Sequence, residues 1–125
     1  DSYRGGVLYM YVKHIKGQIS ETILTEYFLR YRFYVFRPLA GFGPIDIVVI
    51  SSQTGNTYLL DAKATSKRKL KGRVGLQPIY RNLSKEQKLL GVRIAYVDIK
   101  TREVEIRPRI QEITDFKKMK NFRVD

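Results

Sequence analysis

This chain has no cysteine, which excludes disulfides, thiolate metal sites and a cysteine nucleophile. Its fold therefore does not depend on the redox state of its compartment. An intracellular location is the expectation, in cytoplasm or nucleoid or in a phage-infected cell. Long apolar runs are also missing. Nothing approaches the ~18 residues that cross a membrane. Tyr3, Arg4, Gly5 and Gly6 ahead of a short apolar stretch lack the layout of a signal peptide, so no membrane partner is expected. There is a single histidine, His14. A general-base role is open to it, but an exposed or hydrogen-bonded histidine without chemistry is the simpler reading. Repeats, linkers and low-complexity blocks are absent, and 125 residues fit one domain, 1–125, with a modest core. Acidic residues are scarce: 12 stand against 24 Lys and Arg, for a net charge of +12. Such an excess points to a polyanionic partner, and nucleic acid is the commonest. Charge alone says nothing about catalysis.

Hydrophobic patterning gives the elements. Residues 7–12 read as an extended opening. Residues 19–31 carry a helical stripe of Ile19, Ile23, Tyr27 and Tyr31, widened by Leu24 and Phe28, with Gly17 and Ser20 as start signals. Residues 32–37 read as a strand, closed by Pro38 and the Gly41-Phe42-Gly43-Pro44 loop. Residues 44–50 and 57–64 form a strand pair around the turn formers Ser51 to Asn56. A basic loop over 67–73 and a stretch of undetermined structure through Gln77 and Pro78 come next. Ser84-Lys85-Glu86-Gln87 has the capping-box form, and Gly91 is a helix stop. Strands over 92–98 and 103–107 and an amphipathic helix over 110–119 complete the chain. Helix, three strands, helix, two strands, helix describes an α/β fold with a central mixed sheet flanked by helices.

The chemistry concentrates in Asp46 and the triplet Asp61-Ala62-Lys63. A turn centred on Thr54-Gly55 sets Asp46 opposite Lys63; a slip of one sets it opposite Asp61. Asp61 and Lys63 share a face in either register, while Leu60 and Ala62 point away. Two acids and a lysine in an apolar hairpin are costly unless they bind something, and a divalent cation is the natural candidate. Mg2+ takes one or two carboxylates plus substrate phosphate and lowers the pKa of a bound water. Lys63 beside it is placed to orient the attacking water or stabilise developing charge. Glu21, on the edge of the helical stripe, is a third acid turned toward the sheet, whereas Glu26 reads as surface. Bland readings stand beside these: Asp46 as a turn residue, Asp61 and Lys63 as a surface ion pair, and Glu21 as a first-turn acid. Lys67, Arg68, Lys69, Lys71 and Arg73 follow the catalytic strand directly, a place from which to grip backbone phosphates. Gln77, just beyond them, is a candidate for contact with the metal site or a base edge.

Pro44-Ile45-Asp46, a fourteen-residue gap and Asp61-Ala62-Lys63 together resemble the signature of the PD-(D/E)XK nuclease superfamily. Gly17-Gln18-Ile19-Ser20-Glu21 is similar to the head of the helix that carries an additional acid there. The element order resembles the restriction-endonuclease-like αβββαβ core over roughly residues 16–98. Within the superfamily, size and layout most resemble archaeal-type Holliday junction resolvases and small phage or intron homing endonucleases. The resemblance implies hydrolysis of DNA phosphodiesters with Mg2+, or Mn2+ in its place. Asp46 and Asp61 would be the ligands, Glu21 a further ligand, and Lys63 the residue assisting the nucleophile. It also implies a homodimer or higher homo-oligomer, with an interface from residues 92–98 and 103–107 or from the N-terminal segment. Two departures are visible: Pro-Ile-Asp stands for Pro-Asp, and the second acid is Asp. A junction-selective endonuclease is the expectation. A sequence-specific homing-type enzyme, a non-catalytic DNA-binding module and an RNA nuclease are the alternatives.

Overall fold

The structure, a computed structural model, describes residues 2–119 and the side chains of residues 6–119. It opens with one long helix, α1 (Ser2–Arg30), followed by β1 (Phe33–Phe36), β2 (Ile47–Ser51) and β3 (Thr57–Ala64). A small hairpin of β4 (Ser66–Lys69) and β5 (Leu76–Ile79) comes next. The chain ends with α2 (Lys85–Leu90), β6 (Val92–Val97), β7 (Val104–Arg107) and α3 (Gln111–Lys117). Five strands form one sheet in the order β1-β2-β3-β6-β7, and β4-β5 stand apart as a two-stranded sheet. All neighbours in the large sheet run antiparallel except β3 and β6, which are parallel with Asp61 beside Ile94. The result is an α/β fold with a mixed central sheet. Among the described residues, no helix is long and apolar enough to cross a membrane.

The alternation of β2 and β3 decides which face is core. Ile47, Val49 and Leu60 point to one side with Ala95, Val97 and Ile106, and meet Ile23, Leu24 and Phe28 of α1 and Ile113 of α3. Leu24, Phe28, Ile47, Val49 and Leu60 are fully buried, each a contribution of ~1.5–3 kcal/mol relative to exposure. Residues one step out of phase, including Asp61 and Lys63, face the other side of the sheet, on which α2 packs.

Three expectations need correction. Residues 7–12 are helical, not extended. They continue α1, where the backbone N–H and C=O groups are satisfied within the helix. Gly17 and Ser20 lie inside α1 rather than at its start: the Ser20 hydroxyl donates to the Lys16 carbonyl at 2.9 Å, a bond internal to the helix. The basic segment over 67–73 is half strand, because Lys67 pairs with Pro78 and Arg68 with Gln77. Its turn places Gly72 and Gly75 at φ of 78° and 77°, a conformation glycine adopts without steric penalty. The capping box is present: Ser84 Oγ accepts from Gln87 N–H, and Gly91 closes α2 at φ 74°.

Candidate active site

The loop after β2 selects the register. Ser51 Oγ accepts from the N–H groups of Gln53 and Thr54, Gly55 N–H returns to the Ser51 carbonyl, and Ser51 N–H bonds to Asn56 O. This tight closure pairs Ile50 with Thr57 and Ile47 with Leu60. Asp46, just before β2, bonds through its N–H to Leu60 O, and its carboxyl adjoins that of Asp61. Of the two registers open to the sequence, the one that brings the two acids together is realised.

Each carboxylate is oriented by a donor. Asp46 N–H donates to Leu60 O at 2.8 Å, and Asp46 Oδ2 accepts from Ala62 N–H at 2.8 Å. Asp61 is buried, at 8% exposure. Its Oδ1 lies 3.5 Å from Lys63 Nζ, and its Oδ2 accepts from Gln87 Nε2 at 2.9 Å. Burial pushes the Asp46 carboxyl up to about 6, and the adjoining Asp61 carboxyl and the charge of Glu21 push the same way, against the Ala62 N–H. A site that holds a carboxylate against its own electrostatics is favourable to a cation and unfavourable to an empty anion pair.

Glu21 stands further off. Its Oε2 is 3.6 Å from Arg37 Nη1, and Arg37 Nη2 donates to Thr25 Oγ1 at 3.2 Å, so the third acid is engaged by an arginine. Among the described residues, no three acidic or histidine side chains are gathered closely enough to form a metal site by themselves. What is gathered is a pair of adjoining acids that line two clefts, one acid in each. One is lined by His14, Gln18, Glu21, Arg37 and Asp46; the other by Pro44, Asp61, Lys63, Arg81 and Gln87. Two carboxylates with open space beside them suit a cation that keeps waters and takes further oxygens from a phosphate, as Mg2+ does.

Lys67, Arg68 and Lys69 are exposed along β4, and Lys71 and Arg73 on the turn that follows. Lys67 Nζ also reaches Asp98 Oδ2 at 3.6 Å, which ties the hairpin to the main sheet. Gln77 is not brought to the acids. Its amide donates to Val74 O at 3.3 Å within the hairpin. The amide that does reach them belongs to Gln87, which the sequence marks only as part of a helix cap. A signal for its second role exists: Glu serves a capping box as well as Gln, and only Gln leaves N–H donors over. His14 also lines a cleft of the site, one turn before Gln18 and two before Glu21 on the same face of α1. No protein-family model, no characterised protein and no solved structure matches the chain.

Proposed function

We propose that this chain is a divalent-metal-dependent endonuclease of the PD-(D/E)XK type that hydrolyses DNA phosphodiesters. The observation that carries the reading is the adjoining carboxyls of Asp46, which leads into β2, and Asp61 of β3, with Lys63 beside Asp61. Support also comes from the strand order, with β3 and β6 parallel after a crossover, which agrees with the αβββαβ layout of that superfamily. The +12 charge and the exposed cationic hairpin suit a DNA partner.

Asp46 and Asp61, with Glu21 as a further acid, would hold Mg2+ or Mn2+. The cation supplies charge neutralisation on the phosphate and a more acidic water. The chain's own residues do the remaining work. Ala62 N–H fixes one oxygen of Asp46, whose carboxyl adjoins that of Asp61. The Lys63 ammonium, half-buried beside Asp61, stabilises the negative charge that develops on the phosphoryl oxygens. Water adds across the P–O bond: its oxygen joins phosphorus, the ester oxygen leaves, and the proton ends on the leaving oxygen. No redox partner is required.

A branched substrate fits best, because the hairpin offers cations for backbone phosphates, which carry no sequence information. The partner surfaces suggested by sequence differ in availability. β6 is interior to the sheet and almost wholly buried, so it offers no interface. The N-terminal half of α1 exposes Val7, Leu8, Tyr9, Met10, Tyr11 and Val12, an apolar surface suited to a second copy. The test is cleavage of a labelled four-way junction beside linear duplex of matching sequence, in Mg2+, Mn2+ and EDTA, with Asp61→Ala as control. Paired, metal-dependent nicks on the junction are expected, and their pairing reads out two cooperating copies. Cutting of linear duplex at one site would replace this reading with a homing-type enzyme. Tight binding without cleavage in any cation would sink the nuclease.

The hairpin has its own expected result. Lys69→Gln with Lys71→Gln should weaken binding to junction and duplex alike, because cations that meet phosphates read no sequence. The slope of log K against log salt should fall by ~2, about one for each phosphate no longer neutralised. An unchanged slope in a salt titration would remove the hairpin from the interface.

A further inference from the structure

The two acids are oriented by donors of different origin. Asp46 Oδ2 is held by Ala62 N–H, a backbone group that comes with the strand. Asp61 Oδ2 is held by Gln87 Nε2 at 2.9 Å, a side chain from α2 and therefore from outside the sheet. The same Nε2 reaches the Pro44 carbonyl at 3.2 Å, two residues before Asp46. The other end of the amide is also used. Gln87 Oε1 accepts from Ser84 N–H at 3.1 Å, and Gln87 N–H donates to Ser84 Oγ at 3.1 Å. Helix capping asks this side chain only for an acceptor. Its N–H donors are surplus to the cap, and they go to Asp61 and to the segment that leads into Asp46.

We propose that Gln87 is a positioning residue for the acid pair, fixing Asp61 so that Oδ1 faces Lys63 while anchoring the Pro44 carbonyl to the same point. The proposal rests on the reading of Asp46 and Asp61 as the reactive pair. A neutral donor is what the position requires. An ammonium or guanidinium would compete with a cation for Asp61, and a carboxylate would repel it. A lone Asp61 would be free to turn, and with Lys63 as its one partner it would close on the lysine and withdraw both groups from substrate. Gln87 takes up the second oxygen and prevents that collapse. Outer hydrogen-bond partners of this kind typically matter ~10–100-fold in affinity or activity.

Two variants separate positioning from capping. Ser84→Ala removes the hydroxyl that caps α2 and keeps the Gln87 donors to Asp61. Its melting temperature should fall, with kcat for DNA cleavage at the parental value. A merely structural role predicts that Gln87→Met loses no more kcat than Ser84→Ala, and that result would overturn the proposal. Gln87→Met removes donor and acceptor at similar length. Its kcat for DNA cleavage should fall ~10–100-fold with KM for DNA unchanged. In the metal-free parent the Gln87 side-chain NH2 should exchange with solvent more slowly than in Asp61→Ala, and equal exchange would also overturn the proposal. If the parent cuts no DNA in any cation, the nuclease reading fails, and the amide exchange still decides whether Gln87 holds Asp61.

Discussion

Lys63→Met should lower kcat for DNA cleavage by ~10²–10³-fold, the usual loss when one preorganised stabiliser of developing charge is removed. KM for DNA should stay close to the parent value, because Lys63 is one cation among 24 Lys and Arg and sits within a cleft, not on the exposed hairpin. Stability should fall modestly. The Lys63–Asp61 pair spans 3.5 Å with the lysine side chain 39% and the carboxylate 12% exposed, and Gln87 still donates to Asp61 in the variant, so the cost lies somewhat above the ~0–1 kcal/mol of a fully exposed pair. The expected pattern is therefore a large loss of turnover with small changes in binding and melting. Lys63→Arg should not restore the rate, since a planar guanidinium presents its donors differently from a compact ammonium. If the pair were only a surface ion pair, Lys63→Met would cut DNA at the parental rate. Single-turnover cleavage at saturating enzyme separates the two outcomes.

Asp46→Asn should stabilise the metal-free protein at neutral pH and destroy its response to cations. The folded-state carboxyl is raised from 3.8 to about 6, chiefly by burial. A raised acid binds its proton more tightly in the folded state than in the unfolded one. Stability from this group is therefore complete below about pH 4, falls as pH rises toward 6, and stays diminished above that. A displacement of this size corresponds to ~3 kcal/mol for a group cut off from water. Asp46 is only half-buried, so solvent screening reduces the expected gain to ~1 kcal/mol. Urea unfolding of parent and variant should converge near pH 4 and separate above pH 6, with the variant the more stable. Mg2+ should then raise the parent's midpoint by mass action and leave the variant's in place. A variant less stable than the parent at pH 7 without metal would contradict this account of the site.

What is legible in the sequence has local causes. The hairpin of β2 and β3 shows in β-branched runs around Ser51 to Asn56, and Ser84 with Gln87 announces α2 through a pattern of four residues. The register of Asp46 stays open between two values in the sequence because hydrophobic alternation alone fits both; hydrogen bonds accepted by Ser51 Oγ and donated by Gly55 N–H decide that of the hairpin. The start of α1 misleads for another reason. Val7 to Val12 combine β-branched and aromatic residues, and propensity yields to whatever satisfies the backbone. The β4-β5 pairing is hidden because Lys67, Arg68 and Lys69 give no apolar alternation. Proximity along the chain to the basic run favours Gln77 over Gln87, whereas what brings an amide to Asp61 is the packing of α2 beside β6.

The parallel pairing of β3 and β6 has a consequence for how such a protein changes over time. Parallel neighbours cannot be joined by a tight turn and need a long crossover, which here runs over residues 65–91. That crossover carries both the cationic hairpin and the helix bearing Gln87, while Asp46, Asp61 and Lys63 lie on or beside strands that it does not interrupt. Lengthening a surface connection is thermodynamically inexpensive. The hairpin can therefore be extended, shortened or exchanged for another ribbon without disturbing the sheet. In such grafts substrate preference would be inherited with the crossover and reactivity with the strands.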